Sequence, residues 1–259
     1  MKQIDFRKKA NPSLNKRFNL IELMLVIAVI AILSSFLLPV LNKAKKAARI
    51  AVCASNQKQI GIAFYSSAHD NDNYLPKPGA WSWDDLLSDY DGRNLTSAQK
   101  GDHTMNSSTY GQDHGELYRC PLFDGSPTVS TLDISYAVSN YSGGAASGLG
   151  VISDTGTNAN TAKITRISKP DETIMLFDYN RPGYSKLGRN DHSIERATDF
   201  FKWEVLSGTT GEMMHGNYDV NYLMIDGSVK EMDVLDTLHY YKPGAAFNNV
   251  RGTMWDATR

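Results

Sequence analysis

The sequence predicts an α+β chain: one long N-terminal helix, with a membrane half and an exposed amphipathic half, packed on a small and mainly antiparallel β-sheet. Three observations predict it. Residues 20–41 form a nearly unbroken apolar run. Residues 42–68 contain no proline and are rich in Ala, Lys, Gln and Ile. Val220–Ile225 and Ser228–Met232 flank Asp226-Gly227, a strong short-range hairpin signal because both central positions can take positive φ. The expected organisation is a basic leader over 1–17, a membrane and assembly helix over 18–41, its exposed continuation over 42–68, and a β-rich head over 69–259.

The leader carries six basic side chains and one acid, includes Pro12 and shows no apolar periodicity. Formal net charge over all 259 residues is −1, but residues 59–259 hold 16 basic and 26 acidic side chains. Such an acidic head is a poor nucleic-acid binder, because neutralising phosphates needs a basic face. The head is long enough to bury a core of its own.

The 22 residues from Leu20 to Leu41 rise about 33 Å as a helix, enough to span a bilayer core. The run exceeds the apolar region of a secretory signal, about 7–15 residues, and no clean small-x-small cleavage site with a plausible break follows it. A core helix does not suit this length and position. The dense basic cluster before the run places the N-terminus in the cytoplasm and the head outside. Lys45, Lys46 and Arg49 suit a solvated face or contact with anionic lipid headgroups.

Glu22 lies inside the apolar run, where an acid costs on the order of 3 kcal/mol even on a lenient insertion scale. It therefore asks for a partner, and another copy of this chain is the expected one. The plainer alternative is an acid near the interface that reaches back to water. Pro39, inside a helical run, removes one backbone hydrogen bond and predicts a kink. Beyond it, Ala44, Ala47, Ala48, Ala51, Ile60 and Phe64 fit helical spacing. The polar run from His69 to Asn73 and the segment Tyr74-Leu-Pro-Lys-Pro-Gly79 end the helix.

In the head, residues 80–118 show no clear period. Residues 142–162, rich in Gly, Ala, Ser, Thr and Asn, read as an exposed loop. Thr173-Ile-Met-Leu-Phe-Asp178 reads as a buried strand, and the tail from Lys242 as irregular. Cys53 and Cys120 both fall outside the membrane, so they are either a disulfide pair or two separate buried thiols. His215 with Asp226 and Gly227 can be read as a catalytic pair. The simpler reading gives Gly216 and Gly227 to turns and a loop hydrogen bond to His215, since no nucleophile motif accompanies it. Asp70 and Asp72 look like half of a calcium loop without its glycine and closing glutamate, so no metal site is assigned and calcium is the one cofactor left open. Trp81, Trp83, Trp203 and Trp255 suit core or subunit contacts.

The segment Lys16-Arg17-Phe18-Asn-Leu-Ile-Glu22-Leu resembles the processing site of type IV prepilins and type II secretion pseudopilins. The resemblance implies cleavage between Arg17 and Phe18 by a prepilin peptidase and N-methylation of Phe18. It also implies an assembly role for Glu22, pairing with a neighbour's new amino group, and a helix-bending role for Pro39. Arg17 stands where the family carries Gly. Cys53-Ala-Ser-Asn-Gln-Lys-Gln-Ile-Gly61, Asp70-Asn-Asp-Asn-Tyr-Leu-Pro76, Cys120-Pro121 and the C-terminal hairpin resemble a bacterial subfamily of pilin-like proteins named for a His, nine residues, then Asp-Gly. Here ten residues separate His215 from Asp226-Gly227. The resemblance implies a non-enzymatic, single-pass inner-membrane subunit that self-assembles with other pilin-like subunits on an inner-membrane platform, in contact with membrane lipid. The rival expectation is an uncleaved, signal-anchored extracytoplasmic protein whose head binds or hydrolyses a glycan, motivated by Arg17 and by the Trp- and Asp-rich stretch 80–120.

Overall fold

The computed structural model describes residues 19–77, 81–102, 112–123, 132, 134–139, 150–152, 161–179, 194–195, 215, 219–234, 236–238 and 253–257. Helix α1 runs without a break over Leu20–Asp70, with Pro39 inside it. Asn19 caps it: its side chain accepts from Ile21 N–H at 3.4 Å, and its own N–H donates to Glu22 at 3.0 Å. A carboxylate three positions past the cap thus satisfies an orphan donor of the first turn.

The two halves of α1 belong to different compact units, residues 1–45 and 46–259. In the first, every large apolar side chain from Leu20 to Leu41 is 48–72% exposed. Burying such a side chain is worth about 1.5–3 kcal/mol, so this exposed surface has much to gain from an apolar surrounding. The segment is long and apolar enough to cross a membrane. Ser35 fits such a setting, since its hydroxyl donates to the Ile32 carbonyl at 2.7 Å.

In the second unit α1 turns one face inward: Cys53, Gln57, Ile60, Gly61, Phe64, Ser67 and Ala68 are buried, at helical spacings. Ile60 and Phe64 fall on that face as the sequence predicts, whereas Ala44, Ala47, Ala48 and Ala51 are exposed. The helix ends in a tight reversal. Asp72 and Asn73 adopt left-handed φ of 54° and 64°, and Asn73 N–H returns to the Ala68 carbonyl at 2.8 Å.

The sheet has five strands in the order β3-β1-β2-β4-β5: β1 Tyr136–Ser139, β2 Ile174–Asp178, β3 Ile194–Glu195, β4 Asp219–Met224 and β5 Val229–Asp233. All pairings are antiparallel except β1 with the two-residue β3. The predicted strand at Thr173–Asp178 and the predicted hairpin are β2 and β4–β5. The turn differs from the expectation of two positive-φ residues. Only Gly227 is left-handed, at φ 84°, with Gly227 N–H bonded to Met224 O and Met224 N–H to Ser228 O, which makes a three-residue loop closed by a glycine.

The sheet is buried on both faces. Cys53, Ile60 and Phe64 of α1 share one core cluster with Tyr136, Val138, Leu176 and Leu223. Ala137, Phe177, Val220 and Tyr222 form another with Met254 and Trp255 of the C-terminal tail. Between residues 80 and 118 the structure adds short helices α2, Trp83–Leu86, and α3, Ser97–Lys100, each opened by a capping box. Within 142–162, predicted as an exposed loop, Val151 and Ile152 are instead fully buried and Ile152 bridges Thr161. Apolar residues inside a Gly- and Ser-rich stretch were free to join the core.

Candidate functional site

Four side chains from four parts of the chain meet in the head: Cys53 of α1, Cys120 after the 3-10 turn Gln112–Tyr118, Asp178 at the end of β2, and His215 ahead of β4. All are buried, and their ligand atoms lie within 4.8 Å of one another. Among the described residues this is the one group of three or more His, Cys, Asp or Glu side chains so arranged.

The backbone explains each placement. Cys53 stands on the inward face of α1, one turn before Gln57, whose Nε2 donates to the Asn221 carbonyl on β4 at 3.1 Å. Asn56 Nδ2 donates to the Arg119 carbonyl at 3.3 Å and so ties α1 to the segment carrying Cys120. The Cys120 N–H donates to the Ser135 hydroxyl. Asp178 reaches the site because β2 is irregular. Pairing with β4 shifts between Ile174 and Leu176, where an extra residue, Met175, sits in the strand. Ile174 belongs to the far-face cluster, and strict alternation would send Leu176 and Asp178 the same way. The bulge reverses the phase and turns both toward α1.

The contacts are tight. Cys53 Sγ donates to Asp178 Oδ1 at 2.8 Å and lies 3.3 Å from the Tyr136 hydroxyl. Asp178 Oδ2 accepts from the Asn221 N–H at 2.9 Å and lies 3.3 Å from His215 Nε2. Cys120 Sγ is 3.8 Å from the same nitrogen. Burial pushes the Asp178 carboxyl up to about 7, against the hydrogen bonds from Cys53 and Asn221 that pull it down. Burial, helped by Lys46, pushes His215 down to about 4, so its ring is neutral at pH 7. Burial also raises the Cys53 thiol far above its ordinary range. No family model, curated protein or solved structure matches this chain.

The structure gathers Cys53, Cys120 and His215 of the sequence-predicted residues and adds Asp178. Both cysteines are free thiols. His215 faces Asp178 and Cys120, while Asp226 holds the hairpin turn, accepting from the Ser228 N–H at 2.8 Å and hydroxyl at 2.6 Å. Glu22 and Pro39 lie on α1. Arg17, Phe18 and Trp203 lie outside the described residues. Asp70 and Asp72 sit at the end of α1, where Asp70 accepts from the Tyr90 hydroxyl at 3.1 Å. Trp83 and Trp255 are core residues, and Trp83 stacks on Phe64 with ring centroids 5.4 Å apart. Trp81 lines an open cleft of about 640 Å³ with Asp70, Tyr90 and Lys100.

Proposed function

We propose that this chain is a pilin-like structural subunit. It enters the inner membrane through residues 18–41, with its N-terminus cytoplasmic and its head outside. It is processed between Arg17 and Phe18 and assembles through α1 into a pilus or a pseudopilus of the type II secretion kind. It works with other pilin-like subunits, a prepilin peptidase and an inner-membrane assembly platform, and performs no catalysis.

One observation carries this reading. A single unbroken helix offers exposed apolar side chains in its first half and supplies core residues of the head in its second. A plain anchor needs no such continuity, whereas a subunit that stacks through its helix does. Glu22 in the first turn adds a charge that rewards one stacking register, because an unpaired acid among apolar helices is penalised.

The test is the mature N-terminus, read by mass spectrometry from cells that contain a prepilin peptidase. The expected chain begins at N-methylated Phe18. An intact Met1 in those cells counts against the reading. The glycan-binding alternative would use the cleft that Trp81 lines. It is favoured by a chain with Met1 intact that is retained on polysaccharide as a monomer.

A further inference from the structure

We propose that Cys53, Cys120, Asp178 and His215 are the four ligands of a structural site for a zinc-class divalent cation, which ties α1 to the sheet of the head. Two sulfurs, one imidazole nitrogen and one carboxylate oxygen are a donor set that divalent zinc prefers, and cobalt(II) occupies such sites as its spectroscopic stand-in. Ligand bonds of about 2.0–2.3 Å set the edges of a tetrahedral site at about 3.3–3.8 Å. Three separations are close to that range: 3.3 Å from His215 Nε2 to Asp178 Oδ2, 3.8 Å from Cys120 Sγ to His215 Nε2, and 2.8 Å from Cys53 Sγ to the other carboxylate oxygen, Asp178 Oδ1. Of these three, only the last must widen, as the metal replaces the direct thiol–carboxylate hydrogen bond, and the ligand atoms as a group lie within 4.8 Å of one another.

The surroundings suit a ligand shell. The Tyr136 hydroxyl supports Cys53, and the Asn221 N–H supports Asp178. His215 turns Nε2 toward the cluster. Its Nδ1 is buried without a hydrogen-bond partner among the described residues, 3.9 Å from the Glu231 carboxylate. A carboxylate behind the second nitrogen is the usual way a metal-bound histidine is oriented. The neutral ring is the ligating form. With all four ligands buried there is no open position for water, so the site is structural rather than catalytic. Binding exchanges the two thiol protons for the cation, together with the Asp178 proton where that carboxyl is protonated. Two thiolates, one carboxylate and one divalent ion leave a single negative charge.

The test uses the full-length chain in detergent micelles with its thiols reduced, titrated with cobalt(II) and then zinc(II). The expected result is uptake of one equivalent of cobalt, with intense visible bands of a tetrahedral ion and thiolate-to-cobalt charge transfer in the near ultraviolet. Equimolar zinc should abolish both and raise the melting temperature. Cys120→Ser should remove most of the charge-transfer intensity. Absence of any tetrahedral cobalt spectrum in the reduced wild-type chain overturns the proposal. So does finding Cys53 and Cys120 joined as a disulfide in protein isolated from cells without added reductant. Both overturning results are read on the wild type, so neither depends on a variant folding.

Discussion

Cys53 on helix α1 donates its thiol proton to Asp178 on strand β2 at 2.8 Å, across 125 residues of sequence. The bond is fully buried, and Asp178 also accepts from the Asn221 N–H and faces His215. One carboxylate thus joins the helix, the middle of the sheet and the segment before β4. Asp178→Ala removes the acceptor for all of them. Each buried donor left unmatched costs about 1–3 kcal/mol, so the variant should unfold at markedly lower urea concentration in detergent micelles. A midpoint equal to wild type would show that water or another group replaces the carboxylate.

Glu22 has two uses that a pair of substitutions separates. Glu22→Gln keeps an acceptor for the Asn19 N–H and so keeps the capping box, but loses the charge. Glu22→Ala loses both. If charge sets the stacking register, neither variant should enter filaments, as judged by shearing and immunoblotting. Normal assembly of Glu22→Gln would assign the residue to the cap alone.

Arg93 is buried among Asp84, Asp91 and Tyr118, with Nη2 2.8 Å from Asp91 Oδ2 and its guanidinium 4.3 Å above the Tyr118 ring. Arg93→Met removes the guanidinium from this buried cluster. Removing one partner of a buried ion pair costs about 3–5 kcal/mol, which chemical denaturation of the two proteins should resolve.

Asp85, at the third position of α2, accepts from the Ser82 N–H, and its Oδ1 has no hydrogen-bond partner among the described residues. Burial, and then the charge of Asp84, push its carboxyl up from 3.8 to about 8. The folded chain therefore binds this proton more tightly than the unfolded chain does. Its contribution to stability is full below about pH 4 and is lost as pH rises toward about 8. Asp85→Asn should abolish that slope, gaining on wild type at pH 8 relative to pH 5 in paired urea titrations.

Gly61 lets α1 approach the sheet closely: an added Cβ would sit 3.2 Å from both δ-methyls of Leu223. Gly61→Ala sets that contact against a helix-propensity gain of about 1 kcal/mol, so its net effect should be small. Gly61→Val adds overpacking worth about 1–3 kcal/mol and should lower the melting temperature clearly.

The helix, the β2 strand and the hairpin were legible because each is a local pattern: apolar period, a buried run, Asp-Gly between two strands. Two capping boxes, Ser82 to Asp85 and Thr96 to Gln99, were also written locally and went unread. Strand β1, only Tyr136–Ser139, is too short to carry a period. The four-residue cluster was legible in part. Cys53, Cys120 and His215 stand out by type, but Cys120 and His215 are 95 residues apart and no spacing links them. Asp178 looked like the end of a buried strand, because only pairing with β4 reveals the bulge that turns it toward the helix.

Among the described residues, the polar bonds from α1 to β2 and β4 lie close together. Asn221 donates to the Ile50 carbonyl, Cys53 to Asp178, and Gln57 to the Asn221 carbonyl, all within about two helical turns. Tension applied along the axis of α1 would shear these links against β2 and β4 simultaneously instead of unzipping them in sequence. A helix attached in this way passes a pull on its second half to the sheet through one short row of polar side chains and the apolar core around it.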